Sequence, residues 1–263
     1  MTKRHSSPAG APCWADLWTA EAESSRSFYS ALFGWEAGEP SPQFGGYFMF
    51  MREGEPVAGA MGPLPGTPAD NSWKPYFCTR DIDAALKKAT AGGAAVQGAA
   101  MPVADLGVQA LVRDPAGALF GLWQPGTFEG FGVVGEPSSP SWFELHTREH
   151  SDEVAFYRQL LGLEFEADAD GDADADGDDF RYFTFKSHGS REDLGGVMDS
   201  RRFLGEGGDH WEIYWQVEDA NASAERVKEL GGAVINGPDQ TPYGVLVLCS
   251  DPAGAKFKLR ESA

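Results

Sequence analysis

The sequence predicts an α+β fold of four βαβββ modules, grouped as two tandem domains of related sequence. Two observations predict it: the second half repeats motifs of the first, and each half restarts its own strand–helix pattern once. The sequence Asp-Pro-Ala-Gly-Ala at 114–118 returns unchanged at 251–255, and Trp-Ala-Asp-Leu-Trp at 14–18 returns as Trp-Phe-Glu-Leu-His at 142–146. Because these matches keep their order and spacing, we infer an internal duplication.

The duplication sets the expected domain boundaries. We expect a disordered tail over residues 1–11, a first domain over 12–125, a linker over 126–140 and a second domain over 141–263. The linker segment is rich in Gly, Pro and Ser, as segments between domains often are.

The helix that opens the second domain shows the periodicity most clearly. Val154, Tyr157 and Leu161 recur at the spacing of one helix face, Ser151 has the residue type of an N-cap, and Gly162 follows the last turn. Short apolar runs between turn residues predict the strands. The elements predicted for this half are strand 142–147, helix 151–161, strands 163–166, 180–185 and 194–198, then strand 210–217, helix 220–230 and strands 233–235, 245–249 and 256–260.

Two repeated motifs carry a family resemblance. The first helix of each half ends in Phe-Tyr-x-x-Leu-Phe/Leu-Gly, at 28–34 and 156–162, and an Asp-Pro-x-Gly turn precedes each last strand. This arrangement resembles the vicinal oxygen chelate superfamily, which includes glyoxalase I, bleomycin-resistance proteins and extradiol dioxygenases. It is most similar to the tandem two-domain actinobacterial proteins often labelled glyoxalase-like or hydroxylase. The resemblance covers about residues 12–125 and 140–261.

The resemblance implies the shape of each domain. Each pair of modules would curl an eight-stranded sheet into a cup with helices outside, and metal-dependent members hold a divalent cation inside the cup. The ligand positions of those members fall on Trp14 and Trp142, on Lys74 and Glu212, on Gly121 and Lys258, and near 59–60 and 195–196. With one carboxylate among these eight positions, we expect no divalent metal at this site and no other cofactor.

Strand alternation predicts which residues face the first cup. An apolar pocket with few polar groups is typical of small-molecule sites, but aromatic residues also fill closed cores, and both interpretations stay open. The residues expected to bind a ligand here are Trp14, Asp16, Trp18, Lys74, Tyr76 and Trp123, with Asp16 and Lys74 as an expected ion pair.

The second cup is expected to be far more polar. Its inward residues include Trp142, Glu144, His146, Glu212, Tyr214 and Lys258. One interpretation is an internal ion-pair network, with Lys258 opposite Glu212. The other is a site for a polar ligand in which Glu144, His146 and Glu212 act as acids and bases, as in a lyase, an isomerase or an oxygenase-like enzyme. A one-residue bulge would invert these assignments.

Charge and composition exclude several classes of partner. The chain carries 40 acidic and 21 basic residues, a net charge of −19, which argues against nucleic-acid binding. No apolar run approaches the ~20 residues that a membrane span needs. Three scattered cysteines suit buried thiols in a reducing cytoplasm. We therefore expect a cytoplasmic monomer or homodimer whose partner is a small molecule.

Much of the negative charge lies in one segment. Residues 164–179 contain nine acids and no base. This pattern is typical of a solvated hairpin tip, with weak calcium binding over 168–179 as the alternative. The spacing begins like an EF-hand loop, but Phe183 stands where the final glutamate of such a loop would be.

Overall fold

The computed structural model describes residues 4–64, 66, 69–167, 181–205 and 207–263. The chain forms two mixed sheets, one from each half. The elements of the first half are β1 (Pro12–Trp18), α1 (Ala22–Phe33), β2 (Glu36–Ala37), β3 (Phe48–Arg52), β4 (Glu55–Met61), β5 (Ser72–Cys78), α2 (Ile82–Ala91), β6 (Ala95–Val96), β7 (Met101–Val103), β8 (Gly107–Arg113) and β9 (Leu119–Pro125).

The second half repeats this order with one strand fewer. Its elements are β10 (Pro140–Thr147), α3 (His150–Leu161), β11 (Glu164–Ala167), β12 (Tyr182–Lys186), β13 (Gly195–Asp199), β14 (His210–Gln216), α4 (Ala220–Glu229), β15 (Ala233–Thr241), β16 (Gly244–Ser250) and β17 (Lys256–Glu261). The predicted fold of four βαβββ modules in two tandem domains is therefore confirmed.

The opening strand of each half lies in the middle of its sheet. In the first sheet the order is β2-β3-β4-β1-β5-β9-β8-β6, and in the second it is β11-β12-β13-β10-β14-β17-β16-β15. The first sheet has nine strands instead of the expected eight, because β6 and β7 pair separately with β8 where the second sheet has the single strand β15. The opening strands β1 and β10 are thus flanked by both modules of their own domain.

The helix that we predicted to begin after Ser151 begins earlier. α3 starts at His150 with Glu149 as its N-cap, and the Thr147 hydroxyl accepts the Glu149 amide at 3.0 Å. Ser151 instead accepts a hydrogen bond from Arg181 at 3.1 Å. Gly162 ends the helix as expected, with a φ of 70° that favours glycine.

The helices α1 and α3 lie outside the cups but between the two sheets. Tyr29 of α1 contacts Trp73 of its own sheet at a ring distance of 5.2 Å and Phe257 of the second sheet at 5.6 Å. Tyr157 of α3 contacts Phe120 of the first sheet at 5.4 Å. One aromatic core therefore joins both halves, and the cups open away from it.

The peripheral predictions have different outcomes. The three cysteines are free and buried, as expected. Residues 4–11, which we expected to lie in a disordered tail, hydrogen-bond to the first half: the Arg4 amide donates to Gly132 O at 2.8 Å, and the Gly10 amide to Cys78 O at 2.8 Å. No described helix combines the length and apolar character that a bilayer crossing requires.

The repeated Asp-Pro-Ala-Gly turns connect the halves reciprocally. Asp251, in the second half, accepts a hydrogen bond from Ser25 of α1 at 3.3 Å. Asp114, in the first half, accepts one from the Tyr157 hydroxyl of α3 at 2.8 Å. Each turn thus binds the opening helix of the other half through a buried carboxylate.

Glu153 makes one of these two contacts sensitive to pH. It takes in α3 the position that Ser25 takes in α1, and it is 1% exposed. Its Oε1 accepts the Ala116 amide at 3.0 Å, and its Oε2 has no donor among the described residues. Burial, and then the neighbouring Asp114 carboxylate, raise the pKa of Glu153 to about 9. The raised pKa favours the protonated form of Glu153 beside the Asp114 carboxylate.

We expect Glu153→Gln to stabilise the protein increasingly as the pH rises. The folded-state pKa is raised from 4.5 to about 9, so the wild type loses this contribution to stability across that window. The amide keeps a donor for Asp114 and has no proton to lose. The gain should grow steadily across the window, to several kcal/mol near its top, measured by urea unfolding at several pH values.

Ser25→Ala is the matched control for Glu153→Gln. It removes a neutral partner of Asp251 and leaves Glu153 in place, so it should not reproduce the progressive gain in stability towards high pH. A difference between Glu153→Gln and wild type that stays flat with pH would contradict the buried carboxyl pair.

Candidate functional site

The concave face of the first sheet encloses a cavity of about 810 Å³. Of the six residues expected to face this cup, Lys74 does not line the cavity; the five that do are Trp14, Asp16, Trp18, Tyr76 and Trp123. These five lie on β1, β5 and β9, which are neighbours in the sheet. The cavity of the first cup therefore lies against five of the residues that strand alternation predicts to face it.

Asp16 is the buried polar centre of this cavity. Its Oδ1 accepts hydrogen bonds from Trp14 Nε1 at 2.9 Å and from the Tyr47 hydroxyl at 2.8 Å. Burial raises the pKa of the Asp16 carboxyl, and hydrogen bonds from Tyr47, Tyr76 and Trp14 oppose that rise only in part. In the described part of the chain, the hydrogen-bond donors to this carboxylate are uncharged, and the Lys74 charge lowers its pKa only from a greater distance.

Lys74 does not form the expected ion pair with Asp16. Its Cα lies opposite that of Asp16 in the sheet, but its Nζ contacts Asp70 Oδ1 at 2.6 Å and Ser72 Oγ at 2.9 Å. The ammonium also lies 4.4 Å from the Trp18 ring centroid. The long, buried side chain of Lys74 thus places its charge against Asp70 and the Trp18 ring, and Trp18 lines the cavity whereas Lys74 does not.

Residues outside β1, β5 and β9 complete the walls of the cavity, and strand alternation did not predict these residues. Tyr47 lies just before β3, and Gln109 of β8 accepts a hydrogen bond from Tyr76 at 3.2 Å. Leu64 and Met101, at the mouth, are 38% and 53% exposed. A usable signal existed for Tyr47, because Tyr-Phe-x-Phe at 47–50 returns at 182–185.

Glu144 is the buried centre of the second cup. The Tyr214 hydroxyl donates to its Oε1 at 2.5 Å and the Tyr182 hydroxyl to its Oε2 at 2.8 Å. Lys258 Nζ lies 3.1 Å and His146 Nε2 2.9 Å from the same Oε1. Unlike Asp16, this carboxylate has a full cation at hydrogen-bond distance.

Glu212 joins the same network from β14. Its Oε2 lies 3.1 Å from Lys258 Nζ and 3.4 Å from His146 Nε2. The predicted position of Lys258 opposite Glu212 is thus observed. His210, which we did not predict, stacks on the His146 ring at 5.2 Å and places its Nε2 3.5 Å from Glu212 Oε1.

The network holds its groups in their charged forms. Burial disfavours the imidazolium of His146, but the hydrogen bonds to Glu144 and Glu212 outweigh burial and raise its pKa to about 9. Burial likewise opposes ionisation of both glutamates, whereas Lys258 and His146 bring the pKa of Glu144 and of Glu212 well below the usual range. The same carboxylates raise the pKa of Lys258 against the effect of burial.

The two cups share one hydrogen-bonded motif. In the first, Trp14 Nε1 donates to Tyr47 at 2.8 Å beside Asp16 and Tyr76. In the second, the matching Trp142 Nε1 donates to Tyr182 at 3.0 Å beside Glu144 and Tyr214. The duplication therefore preserved a Trp–Tyr–carboxylate–Tyr cluster at the base of each cup.

The expectation of no metal-binding residues at this position is wrong. Ligand atoms of Glu144, His146 and Glu212 all lie within 4.8 Å of one another, an arrangement that could hold a metal ion. Two carboxylates and an imidazole are suitable donors for a divalent cation such as Mn²⁺. The error arose from testing one position per strand, whereas Glu144 and His146 lie two residues apart on β10 and converge on Glu212.

The Lys258 ammonium already lies between Glu144 and Glu212, where a bound metal ion would contact the same carboxylates. Its ammonium lies 3.1 Å from each of Glu144 Oε1 and Glu212 Oε2. A divalent ion would have to displace it, and the flexible lysine stem permits such a movement. The alternative calcium site at 168–179 lies outside the described residues.

Comparisons with known proteins agree with this architecture. The family model described as "Glyoxalase-like domain" matches residues 14–123 and 142–260. A Mycobacterium tuberculosis protein with the provisional name glyoxylase CFP32 is 33% identical over 269 residues, which cover 100% of this chain and 99% of the relative. The Anthracycline biosynthesis protein DauV of Streptomyces sp. (strain C5) is 35% identical over 266 residues, covering 96% of this chain and 93% of the relative.

A solved structure has the same fold. The Mn(II)-bound glyoxalase of Novosphingobium aromaticivorans superposes with a TM-score of 0.65 at 18% identity, over 97% of this chain and 82% of that one. That protein binds manganese within this fold, which agrees with the correction made from Glu144, His146 and Glu212.

We expect Lys258→Met to tighten Mn²⁺ binding by about tenfold or more. The substitution removes the ammonium that balances the charge of the Glu144 and Glu212 carboxylates and leaves a side chain of similar length. Binding can be followed by the loss of the free-ion electron paramagnetic resonance signal. Lys258→Met combined with Glu212→Gln should lose that gain.

Lys256→Met is the matched control, since Lys256 lies two residues earlier on the same strand and is exposed. It should leave Mn²⁺ affinity unchanged. Absence of Mn²⁺ binding by both wild type and Lys258→Met would contradict the metal-holding arrangement.

Proposed function

The chain belongs to the glyoxalase-like domain family of the vicinal oxygen chelate superfamily, and from this premise we propose that it binds a flat aromatic small molecule in its first cup. The observation that supports this function is the cavity of about 810 Å³ on the concave face of the first sheet. Its volume lies within the range of about 300–1,000 Å³ that is usual for small-molecule sites.

The lining favours a flat ligand. Aromatic rings form much of the wall: Trp14, Trp18, Phe44, Tyr47, Phe48, Tyr76, Trp123 and Phe128. Such side chains pack well against another ring system. Polar groups, among them Asp16 and Gln109, are a minority of the lining. They can orient a ligand while the site stays mainly apolar.

A relative supports the same ligand class. The relative that is 35% identical over nearly the whole chain is named for anthracycline biosynthesis, and anthracyclines are fused-ring aromatic compounds. We propose by analogy that a polycyclic aromatic metabolite is the ligand here. The fold by itself is compatible with many functions, so the proposal rests on the cavity first.

The second cup is a candidate for catalysis, because three ligand-type atoms converge there. Glu144, His146 and Glu212 would hold a divalent cation, which would supply a Lewis acid that polarises an oxygen of a substrate. Tyr182 and Tyr214, hydrogen-bonded to Glu144, would orient that carboxylate for proton transfer. The Mn²⁺ titration of Lys258→Met tests the cation-holding part of this second function.

We expect Leu111→Trp to weaken binding of an uncharged polycyclic quinone by about tenfold or more. Leu111 lines the cavity and pairs with Gly121 across β8 and β9, so a larger side chain there would fill the space. Isothermal titration calorimetry measures the affinity without relying on tryptophan fluorescence, which the substitution itself would alter.

Leu248→Trp is the matched control because Leu248 pairs with Lys258, as Leu111 pairs with Gly121. It should leave the affinity unchanged if the ligand lies in the first cup. The opposite pattern would place the ligand in the second cup, and failure of the wild type to bind any polycyclic aromatic probe would contradict the proposed function.

A further inference from the structure

The two duplicated carboxylates differ in how their charge is balanced. In the second cup, Glu144 has the Lys258 ammonium at 3.1 Å from its Oε1. In the first cup, the matching Asp16 has hydrogen bonds from Trp14 and Tyr47, which carry no charge. The buried carboxylate therefore has a lysine of the protein at hydrogen-bond distance in the second cup, whereas the described residues of the first cup supply only uncharged donors.

Sequence positions explain this difference. Tyr214 pairs with Lys258 across β14 and β17, and at the matching place Tyr76 pairs with Gly121 across β5 and β9. A Cβ on Gly121 would lie 2.0 Å from the Tyr76 ring. Because the tyrosine ring occupies that space, the first cup cannot carry a lysine there without moving Tyr76.

The cations nearest to the first cup are already paired. Lys74 Nζ lies 2.6 Å from Asp70, and Arg26 lies 3.0 Å from Glu39 at the mouth of the cavity. Among the described residues that line the cavity there is no Lys, Arg or His. Lys74 therefore acts on Asp16 only from a distance, and among the described residues no cation lies at hydrogen-bond distance from this buried carboxylate.

Resting on the proposed function, we infer that the ligand of the first cup carries a basic nitrogen, an amine or a protonated heteroaromatic ring. This cation takes beside Asp16 the place that the Lys258 ammonium takes beside Glu144. The aromatic walls favour the same charge, since ring faces attract cations. A carboxylate or phosphate in this cavity would meet Asp16 with no cation to offset the repulsion.

Three tricyclic probes of nearly equal size separate charge from shape. At neutral pH, 9-aminoacridine is a cation, acridone is neutral and acridine-9-carboxylate is an anion. We expect the wild type to bind the cation at least about tenfold more tightly than the anion, measured by calorimetry or probe fluorescence at low ionic strength. Leu111→Trp should weaken all three.

Asp16→Asn tests the residue that makes the selection. The amide still accepts hydrogen bonds from Trp14 and Tyr47, so we expect the affinity for acridone to stay within about threefold, while the cation loses about tenfold or more. Asp152→Asn on the exposed side of α3 is the matched control and should change neither affinity.

The outcomes separate this inference from the function on which it rests. If the wild type binds the anion as tightly as the cation, or if Asp16→Asn retains the preference for the cation, the charge selection is overturned and the aromatic site remains. If none of the three probes binds, the proposed function fails, and the inference fails with it.

Discussion

Each cup has a buried carboxylate near the middle of its sheet, and the balance of that charge governs what surrounds it. A carboxylate taken out of water is costly unless donors or cations replace its hydration. Asp16 and Glu144 both accept hydrogen bonds from tyrosine hydroxyls, and only Glu144 also has a cation of the protein beside it. The polar network of the second cup and the aromatic cavity of the first are two solutions to the same electrostatic problem.

Duplication made this divergence possible without altering the scaffold. The opening strands keep the same neighbours in both sheets, and the Trp–Tyr–carboxylate–Tyr cluster is present twice. Among the differences between the halves are inward positions of the cups, where Trp18 matches His146 and Gly121 matches Lys258. Because such positions point away from the shared aromatic core, they can change with little effect on folding.

Most of the fold could be predicted from the sequence because its signals are local and repeated. Period-two alternation on β1, β5 and β9 placed Trp14, Asp16 and Tyr76 on the cavity side, and helix periodicity with Gly162 located α3. The strands of the second half begin and end close to the predicted residues, except that the strand predicted over 233–235 extends to Thr241. Aligning the two halves of the sequence by their repeated motifs located the remaining elements.

The parts of the candidate sites that could not be predicted depend on side-chain length and on distant segments. Lys74 has the predicted strand position, but its long side chain turns to Asp70 at the rim. Tyr47 and Tyr182 reach the carboxylates from positions 31 and 38 residues further along the chain, beyond the range of any local pattern. Strand alternation placed Glu144, His146 and Glu212 in the same cup, but their convergence depends on the register of β10 and β14, which sets Glu144 opposite Glu212 and which alternation alone does not give.

The reciprocal contacts of the Asp-Pro-Ala-Gly turns have a consequence for the evolution of this chain. Asp114 and Asp251 tie each half to the opening helix of the other, in the way that two copies of a single domain would join in a symmetric dimer. In such a dimer, one substitution alters both cups at once. When the halves are fused into one chain, each cup can change independently. One cup can then gain an internal lysine while the other keeps its cavity for a ligand.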